Sequence, residues 1–288
     1  MSKPHNVITI LIVGICIWLV PLHGDCQENI SKGLQWLTSV QQSDGSWGYW
    51  AGPTLRDTTT GVDIFQILSP PAPAYLAALQ WLATTSPLNN DFAARRLYTF
   101  SKANYDTIPD LNYLMAGRKS NGGWGLDPDH ESDPFDTALA LQALKAVNYP
   151  DQNTISYALD FLTSTQNSNG GWGFAQGDDS SVYMTAVVLN TLSQFKAIYD
   201  LQTPITKAAT YLLTKQNADG GFGSSPSTVY ETALAFESLL ASGAVGADKA
   251  SNIQSAINYI ASAQLPNGSW DDDPYSTALA LRALYSVL

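Results

Sequence analysis

The chain has 288 residues, of which 45% are hydrophobic and 14% are charged, so it is long enough to bury one large core. Its 25 acidic residues outnumber its 14 basic residues, and the formal net charge is −11. This negative surplus argues against nucleic acid and anionic membrane surfaces as partners.

The N-terminal segment has the pattern of a secretory signal. Lys3 precedes an apolar run of 14 residues, Val7–Val20, and the sequence Pro-Leu-His-Gly ends at Gly24. The run is shorter than the roughly 20 residues that span a bilayer. We therefore predict a signal peptide over residues 1–24, a single mature domain over 25–288, and export to the periplasm or the extracellular space. A retained membrane anchor is the alternative.

The mature chain has few residues for redox or metal chemistry. Removing the signal also removes Cys16, so Cys26 is the single remaining cysteine and no intrachain disulfide can form. A cysteine-based zinc site lacks its thiolates. His130 is the one histidine after the signal, and a lone histidine in a loop is usually solvated. The sequence predicts no cofactor.

Five short turns, each a glycine followed two residues later by an aromatic residue, divide the chain into repeats. The last four turns lie 48, 50 and 48 residues apart, whereas the first lies 77 residues before the second. The long gap therefore predicts an additional, degenerate unit. The turns are Gly45–Trp47, Gly122–Trp124, Gly170–Trp172, Gly220–Phe222 and Gly268–Trp270.

Two kinds of helix alternate around these turns. An amphipathic helix with an aromatic-aliphatic pair precedes each turn, and an Ala/Leu-rich helix that begins near a threonine follows it. The second kind is apolar nearly all round, which indicates burial on every side. We predict outer and inner helices at 29–41/58–68, 73–85/90–103, 110–118/133–147, 153–166/180–196, 203–216/228–242 and 248–263/275–287.

Six buried helices surrounded by six amphipathic helices predict an all-α fold, an α6/α6 toroid made of six helical hairpins. An open array of repeats would need polar caps at its ends. The last helix, Tyr275–Leu288, is as apolar as the middle ones. Closure of the ring explains that composition.

The first unit carries a basic and a small residue, an aromatic-aliphatic pair, a glutamine and a Gly-x-Trp turn. These residues are Lys32-Gly33, Trp36-Leu37, Gln41 and Gly45-x-Trp47. The pattern resembles the QW repeats of the terpenoid cyclase and protein prenyltransferase superfamily, over about residues 29–288. The resemblance implies a toroid in which the glutamine ties helix ends to the tryptophan. Squalene–hopene cyclases have two such toroids, and this chain resembles one of them.

The resemblance also implies where a catalytic acid would lie. In squalene–hopene cyclases an Asp-x-Asp-Asp-Thr-Ala motif opens one inner helix, and its middle aspartate protonates an alkene. The matching segment here is Asp133-Pro134-Phe135-Asp136-Thr137-Ala138. Asp133 and Asp136 match the motif, but Phe135 stands in place of the proton donor. Phenylalanine cannot supply a proton, so cyclisation would require Asp136 to take over, with Asp133 beside it.

Four inner helices have an aromatic residue two positions before their threonine. In a closed ring these side chains should lie at the same level, near one end of the inner helices. They are either packing plugs between neighbouring helices or a collar around a pocket for an apolar or cationic ligand. The four residues are Phe135, Tyr183, Tyr230 and Tyr275.

An acidic loop before the third inner helix offers the alternating carboxylates Asp127, Asp129 and Glu131. Oxygen ligands of this kind suit Ca²⁺, which makes the loop a weak metal candidate. We favour the interpretation that aspartates in these loops cap the inner helices, and we predict no metal site.

Taken together, these residues predict an exported toroid without cyclase activity that binds or scaffolds, with an apolar isoprenoid-like molecule as its ligand. One alternative is an enzyme, either a triterpene cyclase (an isomerase) using Asp136 or a carbohydrate-active toroid enzyme. Another is a structural toroid that interacts with proteins. The sequence leaves contact with a membrane surface and the oligomeric state open.

Overall fold

A computed structural model gives the structure of this chain, and it describes residues 22–48, 54–69, 72–244, 246 and 249–288. Most of the predicted signal peptide, residues 1–21, lies outside this range. Residues 22–24 form the start of the first helix.

The described part of the chain contains twelve α-helices and, apart from isolated β-bridges, no strands. Not one of these helices combines the length and the apolar character needed to cross a membrane. The helices are α1 (Leu22–Val40), α2 (Thr54–Leu68), α3 (Pro73–Thr84), α4 (Asn90–Ala103), α5 (Ile108–Ala116), α6 (Pro134–Ala146), α7 (Gln152–Ser164), α8 (Val182–Phe195), α9 (Gln202–Leu213), α10 (Val229–Ser242), α11 (Ala250–Ser262) and α12 (Pro274–Tyr285).

The even-numbered helices form a closed inner ring. Each packs against the next one, from α2 through α12, and α12 packs against α2. The odd-numbered helices cover this ring from outside. The prediction of an α6/α6 toroid with alternating outer and inner helices is therefore confirmed.

The pairing of outer and inner helices differs from the predicted hairpins. Each outer helix packs most closely on the inner helix that precedes it, as α3 does on α2 and α5 on α4, and α1 packs on α12. The first helix of the chain therefore completes the last unit. It also begins at Leu22, seven residues before the predicted start, because Cys26 and Ile30 extend its buried face.

The Gly-x-aromatic turns fix the start of each inner helix against the end of the preceding outer helix. In the third unit the backbone N–H of Trp124 donates to Thr137 Oγ1 at 2.9 Å, and its indole Nε1 donates to the Leu114 carbonyl at 2.6 Å. The units of Trp47, Trp172 and Trp270 repeat both bonds. All four indoles are fully buried. These bonds satisfy polar groups that would otherwise be buried without a partner.

The glutamines of the repeats join neighbouring outer helices. Gln41 Nε2 donates to the carbonyls of Gly45 and Ala74, both at 2.8 Å. Gln264 Nε2 likewise bonds the Gly268 and Asn29 carbonyls, which links the last outer helix to the first. The glutamine thus ties helix ends to the turn that carries the tryptophan, through the carbonyl of the turn glycine. The single donor of the indole already bonds an outer-helix carbonyl, whereas the two amide protons of glutamine serve carbonyls at helix ends.

The third unit departs from this pattern at one residue. Arg118 occupies the glutamine position, four residues before Gly122. Its Nε is buried and has no hydrogen-bond partner among the described residues. Its guanidinium lies 5.9 Å from the centre of the Tyr157 ring, at the edge of cation–π range. The link between α5 and α7 is therefore weaker than in the other units.

We expect Arg118→Gln to raise the free energy of unfolding by about 1 kcal/mol, because the amide can bond the two carbonyls and removes a buried unpaired donor. Chemical denaturation measures this change. The reciprocal variant Gln166→Arg, in the next unit, should lower stability by a similar amount. Destabilisation by Arg118→Gln would contradict the role assigned to the glutamine.

Candidate functional site

The four aromatic residues aligned in the sequence meet at the N-terminal ends of α6, α8, α10 and α12. Consecutive ring centroids, from Phe135 through Tyr183 and Tyr230 to Tyr275, are 5.6, 5.9 and 6.4 Å apart. The hydroxyls of Tyr183 and Tyr275 approach to 3.4 Å although α10 lies between their helices. We call these four side chains the collar. Their mutual contacts are those expected of packing residues.

The collar also lines a cavity of about 810 Å³ at this end of the ring. Phe135, Tyr183 and Tyr230 are half-buried, whereas Tyr275 is buried. The two interpretations of these aromatics are therefore compatible, because the rings pack against one another and still present surface to the cavity. A volume of this size falls within the range of small-molecule sites.

The first two units place charged residues at the collar level, which the aligned threonines of the sequence did not predict. Arg56 lies two residues before Thr58, which accepts a hydrogen bond from the backbone of Trp47 at 3.0 Å. Asp91 lies two residues after Asn89, the N-cap of α4. Both line the cavity. Two features of the sequence indicate these positions: the spacing from Trp47 to Thr58 indicates Arg56, and the capping Asn89 indicates Asp91.

Two arginines lie against the collar, and each is paired with an aspartate. Arg56 Cζ is 4.1 Å from the centre of the Tyr275 ring, and Arg56 Nη2 is 2.8 Å from Asp57 Oδ1. Arg95 forms an ion pair with Asp91, one turn earlier on α4. Its Cζ lies 5.7 Å from the centre of the Phe135 ring.

Asp57 is almost completely buried beneath Arg56. Burial raises the pKa of Asp57 to about 6, and the adjacent Arg56 partly offsets this rise.

The two candidate acids, Asp133 and Asp136, form a buried pair at the start of α6. Asp133 is the N-cap of α6, and its Oδ1 accepts a hydrogen bond from the Asp136 backbone N–H at 2.8 Å. Asp136 is 2% exposed, and its Oδ1 has no hydrogen-bond partner within the described chain. Burial, with the neighbouring charge of Asp133 as a second cause, raises the pKa of Asp136 to about 9. Neither residue is among those lining the cavity.

The side chains of the acidic loop form hydrogen bonds within the loop, and its carboxylates do not converge on a metal site. Asp127 Oδ1 lies 2.7 Å from His130 Nδ1 and accepts from the Asp129 backbone N–H at 2.9 Å. The described residues contain no group of three or more His, Cys, Asp or Glu side chains close enough to hold a metal. Capping is confirmed for Asp133 and for Asp273, which accepts from the Ser276 backbone N–H at 2.7 Å.

Several solved structures share this fold. A variant of the type II terpene cyclase MstE from Scytonema, in complex with its substrate geranylgeranyl dihydroxybenzoate, aligns with a TM-score of 0.76 and 16% identity, over 93% of this chain and 98% of that chain. The ent-copalyl diphosphate synthase from Streptomyces platensis aligns with a TM-score of 0.65 and 20% identity, over 81% of this chain and 50% of that chain. A possible member of the GH105 family from Salmonella enterica aligns with a TM-score of 0.67 and 13% identity, over 100% and 99% of the two chains. At these identities the likeness shows the fold alone.

A comparison with family models gives a closer assignment. No curated protein matches the chain significantly. The model of the squalene-hopene cyclase C-terminal domain matches residues 136–285, just over half of the 288 residues. The match begins at Asp136 and runs through the collar residues Tyr183, Tyr230 and Tyr275. The chain belongs to the squalene-hopene cyclase C-terminal domain family.

Proposed function

We propose that this protein is an exported toroid that binds an apolar, isoprenoid-like ligand in the collar cavity and does not cyclise it. The observation that carries the proposal is the position of Phe135. It lines the cavity at the place where the family motif has its proton donor, and it lies 5.6 Å from Tyr183, ring centre to ring centre. The residue that would start the reaction is replaced by one that extends an aromatic surface.

The cavity supports an apolar ligand through its wall and its size. When a ligand covers the exposed surface of half-buried aromatic rings, the removal of that surface from water stabilises the complex. MstE, which shares the fold, binds a substrate with a geranylgeranyl group. In the collar cavity of this chain, the aromatic rings would cover a prenyl chain.

The state of Asp136 supports the absence of cyclisation. Alkene protonation needs a strong acid, but burial makes Asp136 a weaker acid than an ordinary carboxyl group by several kcal/mol. The side chain is also buried and is not among the residues that line the cavity. A ligand in the cavity would therefore meet Phe135 before it met this carboxyl.

A second candidate function is cyclisation started by Asp136. Two features favour it. Burial raises the pKa of Asp136 to about 9, so the carboxyl keeps its proton at neutral pH, and its Oδ1 has no hydrogen-bond partner among the described residues. A rearrangement of the Phe135 ring would be required to bring a substrate to it. The two candidates differ in whether a bound prenyl compound is converted.

We expect the purified protein to bind geranylgeraniol without converting it. Tyr183→Ala and Tyr230→Ala should each weaken binding about tenfold, because each removes aromatic contact area from the cavity. Tyr157→Ala is the matched control, since Tyr157 is exposed on the outer helix α7. Tyrosine and tryptophan fluorescence titration measures the affinity.

The same mixtures, and mixtures with squalene, are analysed for products by gas chromatography. A cyclised product that disappears in Asp136→Asn would replace the binding proposal with the second candidate. If all three tyrosine variants bind geranylgeraniol with the same affinity, the collar cavity is not its binding site.

Asp136→Asn should also change how stability depends on pH. The folded protein holds a proton on Asp136 up to about pH 9, whereas the unfolded chain releases it near pH 4. The wild type therefore loses stability as the pH rises through this window. Because asparagine is neutral, we expect the variant to be more stable by about 2 to 4 kcal/mol at pH 7, with an advantage that grows with pH.

Urea denaturation between pH 5 and 8 measures this difference. Asp160→Asn, which changes an exposed residue on α7, serves as the control and should show no such trend. A variant that is less stable than the wild type at every pH would contradict the destabilising burial of this carboxyl.

Export is proposed from the N-terminal sequence. We expect the protein recovered from its own host to start near Asp25, after removal of residues 1–24. N-terminal sequencing of the material outside the cytoplasm checks this expectation. A protein that retains Met1 and sediments with membranes would support the anchored alternative.

A further inference from the structure

The collar cavity combines aromatic rings with an unbalanced negative charge. We propose that its ligand is a cation, an amine or quaternary ammonium carried on an apolar body, and this inference rests on the proposed binding function. It goes beyond that function by assigning the sign of charge that the site selects.

The two arginines of the cavity are already neutralised. Arg56 is bound to Asp57 through both Nε and Nη2 at 2.8 Å, and Arg95 is paired with Asp91. An anionic ligand would have to compete with carboxylates that hold these guanidinium groups at bonding distance. Both arginines thus contribute little net positive charge to the cavity.

The rim of the cavity adds carboxylates that have no such partner. Asp271 and Asp273 line the cavity beside Tyr275 and Tyr230, and within the described chain neither forms an ion pair with a basic residue. Glu231, directly after Tyr230, is 9% exposed and is hydrogen-bonded to Thr228 Oγ1 at 2.8 Å. The charges around the cavity therefore sum to a negative value.

The aromatic rings favour the same sign of charge. The face of an aromatic ring carries negative potential and attracts a cation placed within about 6 Å. Arg56 lies over Tyr275, and Arg95 approaches Phe135. Tyr183 and Tyr230 are half-buried, and no cationic side chain of the described residues lies over either ring. An ammonium group in the cavity would contact aromatic rings over which no cationic side chain of the described residues lies, with Asp271 and Asp273 at the rim.

Three prenyl probes of the same length separate charge from apolar contact. Geranylamine is cationic at neutral pH, geraniol is uncharged and geranic acid is anionic. Calorimetric titration of the full-length mature protein should show geranylamine binding about tenfold more tightly than geraniol, and geranic acid more weakly than geraniol. The preference for geranylamine should decrease as salt is added, because the rim charges are accessible to solvent.

Two conservative variants test the rim carboxylates. Asp271 has a left-handed backbone with a φ of 58°, and Asp273 is the N-cap of α12. Asparagine suits both positions, so Asp271→Asn and Asp273→Asn remove charge while keeping the loop. Asp272→Asn is the matched control, because it removes the same charge from the same loop at a residue that does not line the cavity.

We expect the first two variants to bind geranylamine several-fold more weakly and to lose most of the preference for geranylamine over geraniol, and we expect the control to resemble the wild type. If geraniol binds but geranylamine binds no better, the cation inference is wrong while the proposed function stands. If Asp271→Asn, Asp273→Asn and Asp272→Asn all lower the affinity for geranylamine equally, the effect comes from the overall negative charge of the loop. The assignment of the cation site to the rim carboxylates is then wrong. If geranylgeraniol binds but geranylamine does not, the cation inference fails and the proposed function stands. If neither geranylgeraniol nor any of the three probes binds, both fail.

Discussion

The hydrogen bond between a buried threonine hydroxyl and the backbone of a Gly-x-aromatic turn organises this molecule. In the third unit Thr137 Oγ1 accepts from Trp124 N–H, and the same contact recurs in four other units. It sets the height of each inner helix relative to its turn. Because the height is the same in each of these units, residues at one offset from the threonine meet around the ring. The collar is the result of that common register.

The repeat made the fold and the collar predictable from the sequence, since each unit confirms the register of the others. Phe135, Tyr183, Tyr230 and Tyr275 could be aligned because a threonine follows each of them by two residues. The first two units gave no such alignment. Thr58 is followed by two more threonines, which leaves the register ambiguous, and Ala93 stands where α4 would have its threonine. The threonine alignment alone therefore did not locate the charged side of the cavity.

Other features could not be predicted because they depend on contacts between distant segments. The packing of α1 on α12 brings together the two ends of the described chain. The inner helices were expected to be apolar nearly all round, yet Arg282 on α12 binds Glu237 on α10 through two hydrogen bonds of 2.7 Å. A sequence pattern shows that such a helix is enclosed, but it does not show which polar side chains find partners across the ring. The same holds for Asp136, whose pKa depends on the depth of its burial.

The bond from Gln264 to the Asn29 carbonyl, with the packing of α12 on α2, leaves the ring without a free edge. An open array of repeats can lengthen by duplication, since a new unit stacks on the last one. Here every inner helix already has two inner neighbours, so a seventh unit would have to force the ring apart and change its curvature everywhere. A closed ring of this kind therefore cannot acquire a new binding surface by duplicating a repeat. What can vary is the residue that each of the six inner helices presents at a given level, and in this chain the collar level holds one arginine, one aspartate and four aromatic rings.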